Sequence, residues 1–183
     1  MIYTGNYATF GDSHFDTISI SKDSGKNANY LGESYSDLFP NESFFRIWRQ
    51  NENIIPKKEN IMFYIEHYYE EVLKRLDPED VYKDLNNKIL LCYEDSLDFC
   101  HRHIVSAWLE LLLDIEVNEV DIVNDELQPT YKLSYIKQML EKYMISITNM
   151  KIFNTVKGVY NYEKACKNNK TKIKTLNKRI IDK

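Results

Sequence analysis

The stretch KILLCYEDSLDFCHRHIVSAWLELLL, residues 88–113, decides the fold. Ile89, Leu90, Leu91, Cys92 and Tyr93 form a short, nearly unbroken apolar run, which suits a strand buried on both faces of a mostly parallel sheet. Polarity then reverses, and residues 94–98 cannot continue a buried strand. Ile104, Ala107, Trp108, Leu111 and Leu112 follow with the three- and four-residue spacing of a helix facing a core. Asp98 is the expected N-cap, which puts Cys100, His101 and Arg102 in the first turn. A loop at the carboxyl end of a parallel strand is where ligands collect in open α/β sheets, and a helix start favours thiolates and bound anions. Cys92, Glu94, Cys100, His101 and Arg102 are therefore expected to face one crevice.

The same residues resemble a family. LLCYEDSLDFCHRHIVSAWL is similar to the signature of the proteins grouped as domain of unknown function 488, in which a strand ending Leu-Leu-Cys-x-Glu is followed by Cys-His-Arg opening a helix. The start IYTGNYATF resembles that family's first strand and turn. YYEEVLKRLDPEDVYKDL resembles the helical segment before the signature. The resemblance covers roughly residues 1–115. It implies a Rossmann-like α/β domain and a site at the Cys-His-Arg block, and no established reaction. Related proteins tend to carry a basic residue followed shortly by proline where this chain has Ser21-Lys22. Here Asp23-Ser24-Gly25 stands in the proline's place, leaving Lys22 as the candidate anion contact.

At 183 residues the chain is long enough for one core without metal or disulfide staples. No stretch approaches the ~20 apolar residues of a membrane span, and Met1-Ile-Tyr-Thr-Gly lacks the basic start and apolar run of a signal peptide. Three cysteines, an odd number, read as thiols, ligands or a nucleophile, and a cytoplasmic protein is the expectation. The net charge of −4 is uneven. Residues 164–183 carry eight basic side chains against Asp182 alone, a balance of +7 that leaves −11 on residues 1–163. Such a tail is either a solvated terminus or an arm that engages a polyanion such as nucleic acid.

Outward from the central stretch, Ile2-Tyr3-Thr4 is the expected first strand, ended by Gly5-Asn6 as a turn needing positive φ. Thr4 then offers its hydroxyl to a ligand or caps its own turn. Residues 17–21, TISIS, alternate as a second strand. Residues 42–50 read as a helix whose Phe44, Phe45, Ile47 and Trp48 cover too wide an arc for a solvated face. They form core or, alternatively, an aromatic pocket that stacks a base or sugar ring. Ile61, Ile65, Tyr69, Val72 and Leu76 keep helical spacing, and Asp77-Pro78 restarts a helix as N-cap and first residue. With the break at Asn86-Asn87, residues 61–93 supply the helical crossover of a parallel sheet. Residues 115–123 alternate as an exposed or edge strand would, with a helix as the alternative. Leu133, Ile136, Leu140 and Met144 mark a further amphipathic helix. The glycines match no nucleotide-binding fingerprint.

The expectation is a Rossmann-like α/β protein: a mostly parallel sheet flanked by helices over residues 1–125, with a helical extension and basic tail over residues 126–183. Its expected role is that of a small enzyme on an anionic, nucleotide-like ligand, with Cys100, Glu94 and His101 as catalytic groups and Thr4, Lys22, Cys92 and Arg102 as ligand contacts. A non-catalytic binding protein acting through the tail is the alternative. Cys100 is expected to be an accessible, acidified thiol, its pKa lowered by the helix start, Arg102 and His101. Arg102 is the candidate fork for phosphate or carboxylate, and Glu94 either holds Arg102 or acts as base. Because neighbours on a helix point about 100° apart, the three residues 100–102 cannot all reach one atom. Cys92, Cys100, His101 and His103 are zinc-ligand types, but without Cys-x-x-Cys or His-x-x-x-His spacing no metal ligand is assigned. Cofactor and oligomeric state are left open.

Overall fold

Alternation along the central strand sets the two faces of the sheet. In the computed structural model, which describes residues 1–150 and 154, strand β4 (Ile89–Cys92) is buried at every position. Ile89 and Leu91 pack with Tyr7, Phe10, Tyr30 and Val120 on one face. Leu90 and Cys92 turn to the other, as the two-residue period requires.

The described strands form one sheet in the order β3-β2-β4-β1-β5-β6. β1 (Tyr3–Asn6) and β2 (Thr17–Ser19) flank β4, both parallel to it, with Thr4 and Ile18 in register with Leu90. β3 (Glu33–Ser34) continues the parallel set beside β2, and β5 (Asn118–Val123) does so beside β1. β6 (Glu126–Pro129) pairs antiparallel with β5 and forms the edge. The alternating stretch 115–123 is therefore not an edge strand. Its exposed residues lie past the short pairing with β1.

A short helix, α1 (Tyr7–Phe10), packs on the Ile89–Leu91 face. Helices α2 (Glu42–Asn51), α3 (Lys57–Glu71) and α4 (Pro78–Asp84) connect β3 to β4, and α5 (His101–Leu113) connects β4 to β5. α5 covers the Thr4–Leu90 face and is itself contacted by α3 and α4. The α/β architecture expected from the sequence, a mostly parallel sheet flanked by helices, is the one the chain adopts. Met1–Lys142 is one compact unit, in which residues 134–142 are helical and Ile136 and Leu140 are buried, as is Leu133 just before them. In the second unit, from Tyr143, residues 143–150 are helical, and Thr148 Oγ1 donates to the Met144 carbonyl at 2.8 Å. The basic tail and Cys166 lie outside the described residues.

Several junctions follow from local chemistry. Asp77 caps α4, accepting from the Glu79 and Asp80 amides at 2.8 and 3.4 Å with Pro78 in the first turn. Asn87 takes φ of 66°, the left-handed turn that delivers the chain to β4. Gly5 departs from expectation. It lies inside β1, and a Cβ there would stand 2.7 Å from the Phe10 ring, so close approach is what requires glycine. The positive φ belongs instead to Gly25, at 77°, wedged between Tyr7 and Tyr30. On α2, Phe44 and Trp48 are buried as expected, but Ile47 is 45% exposed. Among the described residues no helix is long and apolar enough to cross a membrane.

Candidate functional site

Beyond the carboxyl ends of β2 and β4 lies a cavity of about 300 Å3. Phe45, Trp48, Tyr64 and Phe99 form its aromatic wall, from α2, α3 and the loop before α5. Edge-to-face packing holds that wall: the Tyr64 ring centroid lies 5.1 Å from Trp48 and 5.3 Å from Phe99. Lys22 and Arg49 also line the cavity, with side chains about half exposed. Lys22 pairs with Glu42. Arg49 reaches Glu52 at 2.9 Å and Glu94 at 3.9 Å, and its guanidinium lies 4.8 Å from the Trp48 ring centroid.

Cys92, Glu94, Cys100 and His101 gather at the inner end. Cys92 Sγ lies 3.4 Å from Glu94 Oε2 and 3.7 Å from His101 Nδ1, and Cys100 Sγ lies 3.9 Å from the same Nδ1. Backbone conformation explains why adjacent residues converge. The helix begins at His101, and Asp98 is not its N-cap. Cys100 is its N-cap, extended at φ −145° and ψ 151°, so the 100° step between helical neighbours does not separate Cys100 from His101. His101 Nε2 donates to the Ile20 carbonyl at 2.9 Å, which leaves Nδ1 as the acceptor facing both sulfurs.

The electrostatics correct one expectation outright. Cys100 is buried, and burial pushes its thiol well above the usual cysteine range; Cys92 and Glu94 reinforce this, and Arg102 opposes it too weakly to matter. Burial likewise acts to raise the Glu94 carboxyl, but hydrogen bonding from Cys100, its own backbone amide and the nearby His101 hold it below the ordinary value. For His101 burial alone lowers the pKa, and the Cys100 sulfur and the Ile20 carbonyl turn the net direction upward.

Thr4, on β1, and Arg102, in the first turn of α5, stand elsewhere, between that helix and the sheet and away from the cavity lining. Arg102 does not pair with Glu94. Its Nε and Nη2 both lie 3.0 Å from Glu119 Oε1, and Nη2 also donates to the Asp95 carbonyl at 3.0 Å. Thr4 Oγ1 donates to Glu119 Oε2 at 2.6 Å, and His103 Nε2 lies 3.5 Å from that oxygen. Burial acts to raise the Glu119 carboxyl, yet His103 and Arg102 outweigh it and bring the pKa down to about 2. Burial and the Arg102 charge keep His103 below its usual value. This cluster locks β1, β5 and α5 together with no water-exposed side.

Sequence reasoning missed Glu119, whose alternating acidic stretch reads as solvent-facing until α5 covers that face. A buried arginine on an apolar helix was the available signal, since it demands a carboxylate. Also missed was a hydroxyl chain beside the cavity: Tyr7 Oη contacts Ser19 Oγ and Ser21 Oγ at 2.5 and 2.7 Å. Ser21 Oγ donates onward to Asp23 at 2.9 Å, and the Tyr93 hydroxyl donates to the same carboxylate. Burial pushes the Tyr7 phenol up to about 12, so it serves as a neutral hydrogen-bonding group. In comparisons with known proteins, no family model, no curated protein and no solved structure matches this chain.

Proposed function

We propose that the chain is a small cytoplasmic enzyme acting on an anionic, nucleotide-like ligand, and that it belongs to the domain of unknown function 488 family its segments resemble. One observation carries the enzymatic reading: four chemically reactive side chains, Cys92, Glu94, Cys100 and His101, converge at the inner end of an aromatic-walled cavity of about 300 Å3. That volume is at the lower end for ligand pockets and suits one mononucleotide-sized molecule rather than a dinucleotide. The ligand's ring stacks on Phe45 and Trp48. Its anionic end meets Lys22 and Arg49, which exchange their exposed carboxylate partners at little cost. Glu94, held low and therefore ionised near neutrality, takes up a proton at the reacting end. A separate, non-catalytic reading attaches to residues 164–183, whose +7 charge supports engagement of a polyanion such as nucleic acid.

Tryptophan fluorescence tests the ligand reading. Trp48 lines the cavity whereas Trp108, on α5, is buried away from it, so nucleoside monophosphates should quench the wild type saturably and leave Trp48→Phe unchanged. Replacing Lys22 and Arg49 together by alanine should weaken binding roughly 2- to 30-fold, from about 0.2–1 kcal/mol for each exposed charge contact. Absence of saturable quenching with every nucleotide, or nucleosides binding as tightly as their phosphates, overturns the proposal.

A further inference from the structure

Resting on the reading of the Cys92–His101 cluster as the reacting end of the cavity, we propose that Cys92 Sγ, Cys100 Sγ and His101 Nδ1 bind a soft divalent cation of the zinc class. Glu94 then faces its fourth coordination position.

The distances fit such an ion. The three ligand atoms lie within 4.8 Å of one another, and each sulfur is 3.7 or 3.9 Å from Nδ1. A tetrahedral zinc with bonds of ~2.3 Å to sulfur and ~2.0–2.1 Å to nitrogen sets the S···N separation at about 3.6 Å. The two S···N separations need to contract by only a few tenths of an ångström, and the two sulfurs, within 4.8 Å of each other, close to about 3.8 Å.

The histidine is oriented as a ligand. Its Nε2 proton is held by the Ile20 carbonyl, which fixes the tautomer with the Nδ1 lone pair directed at the sulfurs. Metal-binding imidazoles are characteristically held through the other ring nitrogen in this manner.

The scaffold is rigid at each donor. Cys92 ends a strand paired on both sides, Cys100 is fixed as an extended N-cap, and His101 is the first residue of a thirteen-residue helix. The missing sequence spacing thus reflects ligands brought together across a strand-to-helix loop, and His103, expected among the zinc-type residues, faces Glu119 instead.

Ligand chemistry selects the ion. Two thiolates and an imidazole favour zinc over magnesium or calcium, and loss of both thiol protons on binding balances a 2+ charge. Glu94 retains its own charge beside Arg49, 3.9 Å away. Three protein ligands at the end of an open cavity leave one position accessible, as in catalytic rather than structural zinc sites.

The test is cobalt titration of the full-length, reduced, metal-free protein. One Co2+ per chain should produce a thiolate-to-cobalt charge-transfer band in the near ultraviolet with tetrahedral visible bands, and Zn2+ should abolish both. C92S and C100S should each lower cobalt affinity at least tenfold and weaken the band, while C166S and E94Q retain it. Far-UV circular dichroism identifies any variant that fails to fold, and the unaltered protein decides the question by itself. No charge-transfer band at saturating Co2+, a band lost in C166S, or a Cys92–Cys100 disulfide that forms in preference to metal binding overturns the proposal. Nucleotide quenching of Trp48 in metal-free protein reads the ligand site separately. Quenching without a cobalt band sinks the metal site alone, and a band without quenching sinks the nucleotide reading alone.

Discussion

Arg102→Met should destabilise the fold rather than blunt its ligand binding. Arg102 is fully buried and Glu119 is 1% exposed, with Arg102 Nε 3.0 and 3.3 Å from the two Glu119 oxygens. Methionine keeps the helix propensity and most of the volume, so the change isolates the charge. It leaves the Glu119 carboxylate with only the Thr4 hydroxyl at 2.6 Å and the His103 imidazole at 3.5 Å. Breaking a buried pair from one side costs about 3–5 kcal/mol, a large share of the ~5–15 kcal/mol that holds a typical domain. With a urea slope of about 2 kcal/mol/M, the midpoint should fall by roughly 1.5–2.5 M. Removing the partners as well, in a Thr4→Val, Arg102→Met, Glu119→Leu variant, should recover stability to within about 1 kcal/mol of wild type, because no uncompensated charge remains. Urea unfolding followed by far-UV circular dichroism measures both. If Arg102→Met unfolds within about 1 kcal/mol of wild type yet loses nucleotide binding, Arg102 is a ligand contact and the structural assignment is refuted.

Glu119 also predicts a pH dependence. Its folded pKa of about 2 lies below an unfolded value near 4.3, so the unfolded state binds the proton more tightly and stability falls with acid. The contribution, of order 3 kcal/mol, is complete above about pH 5 and is lost as pH drops toward 2. Carboxyl-carbon NMR should show no Glu119 inflection between pH 4 and 5; an inflection there defeats the argument. For any substrate the cavity accepts, Glu94→Gln should cut turnover by about 10²–10⁴ while Trp48 quenching stays within threefold, and unchanged turnover removes Glu94 from the proton-transfer role. Asp77→Ala should cost about 1 kcal/mol through loss of the α4 cap, read as a lower urea midpoint at constant slope.

Local chemistry was enough to fix the elements around the site. The apolar run at Ile89–Cys92, the Asp77-Pro78 helix start and the apolar spacing from Ile104 to Leu112 each express a constraint that acts within one turn or one strand, so they were legible in the chain. So was the gathering of Cys92, Glu94 and His101, because nine residues separate a strand end from the helix start it feeds. The tertiary structure alone decided what each charged or polar group faces. Arg102 finds Glu119, seventeen residues on, because the parallel pairing of β1 with β5 sets Glu119 beside Thr4 under α5, and no periodicity encodes that partner. Cys100 is a buried, poorly acidic thiol for the same reason. A helix start acidifies a cysteine only where it is exposed and an unpaired cation remains nearby, and here Cys100 is buried while Glu119 neutralises the cation.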